Sequence, residues 1–387
     1  MERSVYSDKD NEVGLGAQNR RYRTLSTGAL VAVDHRRGRH RLAAGLDVRL
    51  DHFDERNLDA DDGRQTSGFR PALGVSASDT VALVDGRVLV RPGLRLDVMH
   101  TRPAVDGNAA LEAEAQERTD VFPSPRISGR WRLADEVAIK GNAGYYFRAP
   151  TLLELFGDRG FVVGNPSLEP ETGIALDLGV VATSSSRTLI FDRMFAEASV
   201  FGSRADDVIA FVANAGGFTG AANLDTATII GGEVSLSARL WRMLTVSGNY
   251  TAMLTHRSSS LAGADGKELP QRPRHQLYVR SDLIANALGR RHSLWIDSTL
   301  VTQSYLDAGN RDPIPRRLFV GVGTKAELGA GLALGVEAKN VFDQRVEDIE
   351  LSPAPSPELS RVRRAIADFF GYPLPGRAVY ATLEMTL

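Results

Sequence analysis

The sequence predicts an all-β fold, an antiparallel up-and-down transmembrane β-barrel with long extracellular loops and short periplasmic turns. Three observations carry that expectation. Apolar and polar residues alternate with a period of two along nearly the whole chain, and successive strand side chains point to opposite faces. The alternating segments, about fifteen of them, run to roughly ten residues or more, the length of strands that cross a bilayer at a tilt. The connections sort into tight turns and long excursions, as the two rims of such a barrel do.

Taken in order, RLAAGLDVRLD places Leu42, Ala44, Leu46, Val48 and Leu50 on one face and Arg41, Gly45, Asp47, Arg49 and Asp51 on the other. Val88, Val90, Leu94, Leu96 and Val98 oppose Arg91, Arg95 and Asp97. Val137, Ile139, Ala143, Tyr145 and Phe147 oppose Lys140, Asn142, Tyr146 and Arg148. Val234, Leu236, Ala238 and Leu240 oppose Glu233, Ser235, Ser237 and Arg239, and Leu332, Leu334, Val336 and Ala338 oppose Glu337 and Lys339. Short connections fall at 36–39, 85–87, 134–136, 184–187, 241–242 and 329–331. Long ones fall at 53–69, 101–122, 149–172, 205–228, 256–272, 307–315 and 343–376. A soluble β-repeat is the competing fold. Its strands are usually shorter, about 5–6 residues, and its turns do not divide into two classes. Trp131, Trp241, Tyr145, Phe147, Tyr250, Phe319 and Tyr380 stand near segment ends, where interfacial aromatic girdles lie.

Composition removes other classes. The net charge is -2 over 387 residues, which argues against a nucleic-acid partner held by bulk charge. There is no cysteine, hence no disulfide framework, thiolate metal site or Cys nucleophile; this suits an oxidising compartment. No apolar run of roughly 18 residues is available for a transmembrane helix. The opening MERSVYSDKDNEVG has no apolar core and is not expected to be a signal peptide.

The 149–172 excursion is the most informative. YYFRAPTLLELFGDRGFVVGNPSLEPET is an aromatic run broken by proline, followed by Gly, Asn and Pro before alternation resumes. No helix could hold it, and a soluble loop of this length is uncommon. FRAPTLLELFG followed by GNPSLEPET resembles the mid-barrel signature of TonB-dependent outer-membrane receptors. The matching positions are Phe147, Arg148, Ala149, Pro150, Leu152, Leu155, Gly164, Asn165, Pro166, Leu168, Pro170 and Glu171. ANLDTATIIGGEVSLS, through Asn223, Ala227, Ile229, Gly231 and Glu233, resembles a second element of that family. KNVFDQRVEDIE and GYPLPGRAVYATLEM resemble its closing strands, through Asn340, Val341, Phe342, Asp343, Gly371, Tyr372, Pro373, Pro375, Gly376 and Arg377.

The resemblance implies a single receptor-like β-barrel domain over residues 1–387, with about 15 of an expected 22 strands and neither plug nor signal peptide. It implies the C-terminal part of a longer receptor, from a truncated gene, a misplaced start codon or a split gene, a reading that the odd strand count also favours. It implies outer-membrane localisation, outer-membrane lipid around the barrel, and uptake of a scarce solute such as a ferric siderophore or cobalamin. That uptake would be energised by a TonB-type coupling protein, whose contact region is absent from this chain. No enzyme activity, cofactor, nucleic-acid partner or metal site is expected. The final EMTL replaces the family's usual terminal aromatic; Leu387 keeps an apolar residue on the lipid side.

Most motif residues read as architecture. Pro150, Pro166 and Pro170 lack a donor and end strand pairing, Asn165 before proline starts a turn, and Gly376 frees the backbone. Arg148 ends an inward row and could meet lumen filling or ligand. Among other motifs, Gly321–Ala326 fits a relaxed dinucleotide fingerprint by chance, inside a strand. HRRGRHR, residues 35–41, could suggest a phosphate patch, but it reads better as a periplasm-side turn or a solvated tight turn. DADDG, residues 59–63, has Ca²⁺-loop flavour without EF-hand spacing. SPELSRVRRAIADFF, residues 356–370, predicts a short amphipathic helix from Leu359, Val362, Ile366 and Phe369. The alternative to a receptor is a passive porin-like channel, which needs an even strand count. An outer-membrane hydrolase would need a nucleophile beside His275 and Asp297.

Overall fold

The computed structural model describes residues 2–8, 18–58, 65–105, 117–157, 162–184, 190–213, 219–259, 263–287, 289–350, 360–368 and 372–386. In chain order the strands are β1 (Glu2–Asp8), β2 (Gln18–Arg37), β3 (His40–Asn57), β4 (Gln65–Leu83), β5 (Val88–Val105), β6 (Arg118–Ala134) and β7 (Val137–Arg148). One helical turn, α1 (Leu152–Phe156), and β8 (Val162–Val163) follow. Then come β9 (Glu171–Ser184), β10 (Phe191–Ala213), β11 (Thr219–Leu240), β12 (Leu244–Ser258), β13 (His275–Ala287) and β14 (Arg290–Val301). The last are β15 (Ser304–Tyr305), β16 (Pro313–Ile314), β17 (Arg317–Gly329), β18 (Leu332–Lys339), β19 (Val346–Glu350), β20 (Arg361–Ala365) and β21 (Ala378–Met385).

Each long strand pairs antiparallel with the next, from β1–β2 through β4–β5 and from β12–β13 to β18–β21, with β5 to β12 joined in the same up-and-down order. Among the described residues that gives sixteen antiparallel strands in the main sheet, with the two-residue β8 added parallel to β11. The count is even, so the odd parity drawn from alternation fails. The strand that alternation missed is β1, whose ERSVYSD lacks an apolar face but pairs residue for residue with β2. No helix among the described residues is long and apolar enough to cross a membrane.

The chain divides into two compact units. One comprises residues 1–130, 142–176 and 203–227; the other comprises 131–141, 177–202 and 228–387. In the first, Leu42, Leu46, Val48, Leu73, Val75, Leu94 and Leu96 are exposed on one face of β3–β5. Asp51, Glu55 and Arg70 are buried on the other. In the second, Leu236, Leu294, Ile296, Val336, Val379 and Leu383 are likewise exposed. A water-soluble sheet would hide such a face under another layer; here the apolar side looks outward.

The tight turns are built for twist. Gly38 closes β2–β3 at φ 57. Trp241 and Arg242, at φ 50 and 59, are the central residues of the β11–β12 turn, closed by Met243 N–H donating to Leu240 O at 3.1 Å. Positive φ at both positions is the hairpin geometry that matches strand twist.

Three expectations change. Residues 361–365 form β20 rather than a helix: Val362 pairs with the buried Ile349, and Arg361 and Arg363 reach Glu350 and Asp348 across the hairpin with β19. Cross-strand charge pairing suits RVRRA better than a helix does. The 149–172 stretch does hold a helical turn. Of the proposed girdle, Trp131, Trp241, Tyr145 and Tyr250 are exposed. Tyr380 is exposed as well, in register with Glu337 and with its ring 5.2 Å from Lys339 Nζ, while Phe319 and Phe147 instead line polar-side cavities. Residues 59–63, Gly371 and Leu387 lie outside the described residues.

Candidate functional site

The first unit carries a site on the polar side of β2–β5, where the segment after β7 folds back onto the sheet. The capping box that forms α1 is legible in TLLE: Thr151 Oγ1 accepts from Glu154 N–H at 3.2 Å, and Glu154 Oε2 accepts from Thr151 N–H at 2.7 Å. Gly157, at φ 80, ends the turn with its N–H donating to Leu153 O at 2.7 Å.

The helix delivers aromatic mass onto the sheet. Phe156 stacks on Phe53 at 5.6 Å, and Phe53 meets Tyr22 at 6.3 Å. With Leu155, Leu168, Ile209 and Ala221 these form a buried apolar cluster. Gly68 makes the approach possible, because a Cβ there would stand 2.7 Å from Phe156 Cζ.

Ionic bonds surround the cluster. Arg148 spans Glu154 at 3.0 Å and Glu171 at 2.7 Å, and Glu171 Oε1 also accepts from Ile209 N–H at 2.6 Å. Arg70, 7% exposed, donates to Pro150 O at 2.5 Å and lies 3.5 Å from Asp51. Asn165 ties the loop to β11 by donating to Ala221 O at 3.0 Å, and its Oδ1 accepts from Ser167 N–H at 3.1 Å. Asn223 accepts from Glu169 N–H at 2.9 Å and donates to Asp207 O at 2.7 Å. Arg118 donates to the carbonyl of the fully buried Leu168 at 3.0 Å.

Between α1 and the sheet lies a cavity of about 750 Å³ lined by Tyr22, Phe53, Phe147, Leu152, Leu153 and a charged wall. In that wall Arg95 bridges Asp47 at 2.7 Å and Asp97 at 2.6 Å, while Asp51 accepts from Ser26 at 2.8 Å and Arg49 at 3.0 Å. A second cavity of about 420 Å³ adjoins it through Arg70, Met99 and Ala149, with Pro150, Leu155 and Pro166 in its lining. Aromatic surface beside paired acids and bases suits a bulky amphipathic solute. Ion pairs in the wall can exchange partners with a polar ligand, while the rings take its apolar part.

The motif residues thus separate. Phe147, Arg148, Ala149, Pro150, Leu152, Leu155, Asn165, Pro166, Leu168 and Glu171 converge here; Phe147 stacks on Phe122 at 4.2 Å. Pro170 directly precedes β9. In the second unit Asn340 donates to Gln344 O at 2.9 Å and accepts from Gln344 N–H at 3.0 Å. Asp343 accepts from Arg377 N–H at 2.7 Å and Arg345 Nε at 2.9 Å, which holds its carboxyl below the usual carboxylate range. A Cβ on Gly376 would collide with Asp343 and Arg345. Pro375 O accepts from Asn340 at 3.4 Å, and Phe342 is exposed. Gly231 lets Ala252 O and the Phe201 ring approach β11, where Glu233 is exposed. Sequence reasoning missed Arg70 and Glu154. Glu154 had the capping-box spacing as a signal; Arg70, remote in sequence from the loop it holds, had none.

No cluster of metal-ligating side chains occurs among the described residues. His275 Nδ1 lies 2.8 Å from Tyr250 OH, and Asp297 is in register with Arg280. Five residues along a strand is about 17 Å, too far for a dyad.

A sixteen-stranded up-and-down antiparallel sheet with an outward apolar face is the architecture of an outer-membrane β-barrel. The family model described as TonB dependent receptor-like, beta-barrel, matches residues 3–340. The chain belongs to that family, whose members are outer-membrane transporters. It is 29% identical over 249 residues to the iron-regulated outer membrane virulence protein of two Vibrio cholerae O1 strains, an alignment covering 59% of this chain and 36% of that protein. The copper transporter OprC superposes with TM-score 0.74 at 18% identity, covering 99% of this chain and 60% of that one. The FrpB iron transporter of Neisseria meningitidis gives 0.71 at 14%, covering 99% and 58%. The ferric enterobactin receptor PfeA of Pseudomonas aeruginosa gives 0.66 at 20%, covering 96% and 55%. The chain therefore spans about a third of its curated relatives' length and somewhat over half of the solved structures.

Proposed function

We propose that this chain is the barrel part of a receptor for TonB-energised uptake of a ferric siderophore or a comparably bulky metal chelate. The observation that carries this reading is the cavity beside α1, with aromatic surface and exchangeable ion pairs at the long-loop end of the sheet. The relationship to an iron-regulated outer-membrane protein supports iron as the cargo; cobalamin and other large nutrients fit the same chemistry less specifically. Energy would come from an inner-membrane coupling protein acting on the complete receptor, and outer-membrane lipid would cover the apolar face. The barrel domain is taken to run over residues 1–387, because β21 continues the ladder on β18 beyond the matched range. The family-motif residues are assigned a mainly structural role, with Arg148 holding the loop in place.

Binding tests this directly. The refolded chain, titrated with ferric catecholate, ferric hydroxamate and cobalamin while intrinsic fluorescence is followed, is expected to saturate with one iron chelate. Arg95→Ala, which strips the wall of its bridging base, is expected to weaken that binding about tenfold or more. Saturation by none of the probes, together with dye leakage from liposomes carrying the chain, would instead support the passive porin-like channel, whose need for an even strand count the sheet meets.

A further inference from the structure

The turn between β2 and β3 concentrates positive charge. HRRGRHR places four arginines and two histidines within seven positions, 35–41. Arg37 stands opposite His40, and Arg36 opposite Arg41. Asp34 neutralises Arg41 at 2.8 Å, and Asp79 Oδ2 lies 2.6 Å from His40 Nδ1. Arg36, Arg37 and Arg39 are exposed and have no carboxylate partner among the described residues. Other short turns carry less charge: Val84–Arg87 sets one Arg against one Asp, Asp135–Glu136 has two acids, and Gly329–Gly331 has none.

Directly beside this turn, on the apolar face, runs a trough of about 560 Å³. Val33, Ala44, Ala77 and Leu94 form one register row across β2, β3, β4 and β5. The two alanines make the floor, and Val33 and Leu94, 62% and 53% exposed, make the ridges. At the turn end the lining passes to Leu42, His35 and Asp79. An apolar channel that opens onto unneutralised guanidinium groups has the polarity of a lipid, with its chain along the sheet and its phosphate at the turn.

We propose that this trough and turn form a binding site for an anionic diacyl phospholipid of the periplasmic leaflet. Its phosphate is held by Arg37 and Arg39, and one acyl chain lies between Val33 and Leu94. Guanidinium forks fit phosphate oxygens in pairs, and burying the chain removes apolar surface of both lipid and sheet from less well-packed surroundings. The excess of arginine over acid at the turn selects a net-negative headgroup. The site stands on the outer-membrane location of the chain and not on which solute it carries.

The test is native mass spectrometry of the refolded chain released from detergent micelles containing palmitoyl-oleoyl phosphatidylglycerol, phosphatidylethanolamine or phosphatidylcholine. Phosphatidylglycerol adducts are expected to persist to higher collision energy than the others. Arg37→Gln and Arg39→Gln should each lower phosphatidylglycerol retention about fivefold, while Arg242→Gln, at a different short turn, leaves it unchanged. Ala77→Leu fills the trough on an exposed face, where no repacking is required; it should lower lipid retention without changing the binding of inorganic phosphate. Equal retention of the three lipids, indifference to both arginine substitutions, or displacement of phosphatidylglycerol by equimolar inorganic phosphate would overturn the proposal. The last outcome would mark a plain phosphate site.

Discussion

Two loop regions, one in each unit, solve the same problem by different means. The segment after β7 leaves the sheet and is fastened by buried and half-buried groups: Leu168 fully enclosed, the half-buried Arg148 held by the buried Glu154 and by Glu171, and the half-buried Asn165 bonded to Ala221 O. The β19–β20 hairpin is fastened by its own ladder and by exposed cross-strand pairs. Arg361–Glu350 has side chains 70% and 74% exposed, and Arg363–Asp348 has 71% and 56%. A buried anchor cannot be replaced by water, whereas an exposed ion pair nearly can. Substitution should therefore separate the two regions sharply.

The largest effect is expected at Leu168. Leu168→Ala should destabilise the chain by about 2–5 kcal/mol, read as a lower urea midpoint in lipid vesicles. An effect below half that range would show that the loop collapses onto the gap. Glu171→Ala comes next: it leaves Ile209 N–H and one arm of Arg148 without their acceptor, for about 1–3 kcal/mol. Faster hydrogen exchange at Ile209 is the specific readout. Asn165→Ala, which loses one bond to Ala221 and an Asx-type turn, should fall near 1 kcal/mol. Arg363→Gln in the hairpin should shift the midpoint least of the four; a loss as large as that of Asn165→Ala would erase the contrast.

Acid sharpens the comparison within the second unit. The N–H of Arg377 and the Arg345 side chain hold Asp343 below its usual range, and the Arg363 guanidinium does the same for Asp348. Both carboxyls thus have folded values below unfolded ones. Their contributions are fully present above the ordinary carboxylate range, about pH 4, and are lost as pH falls through the lowered values. Between pH 5 and 8 stability should be flat with respect to these groups. Below about pH 4, amide exchange at Arg377 should rise in the wild type but not in Asp343→Asn, which has no carboxyl left to titrate.

Sheet and sidedness were legible because alternation with outward apolar residues is a repeated signal: every second position of β3, β5 and β18 reports it independently. β1 was not legible, since ERSVYSD has no apolar alternation and its partners in β2, Gln18 to Thr24, carry no Leu or Val either. The 149–172 loop could be read as a break from its prolines, yet its anchoring could not. Arg70, which lies beside Asp51, reaches Pro150 across the sheet, and no local pattern encodes a partner some eighty residues away. RVRRA misled for a related reason: spacing that fits one helical face also alternates well enough for a strand once a pairing partner is present.

The ring of Phe156 occupies the space that any side chain at position 68 would claim. The closeness of α1 to the sheet is therefore set from the wall as well as from the loop. Replacing that one glycine with alanine, serine or valine would wedge the helical turn outward in graded steps. An engineer could thereby tune admission to the chamber through a residue that itself touches no solute.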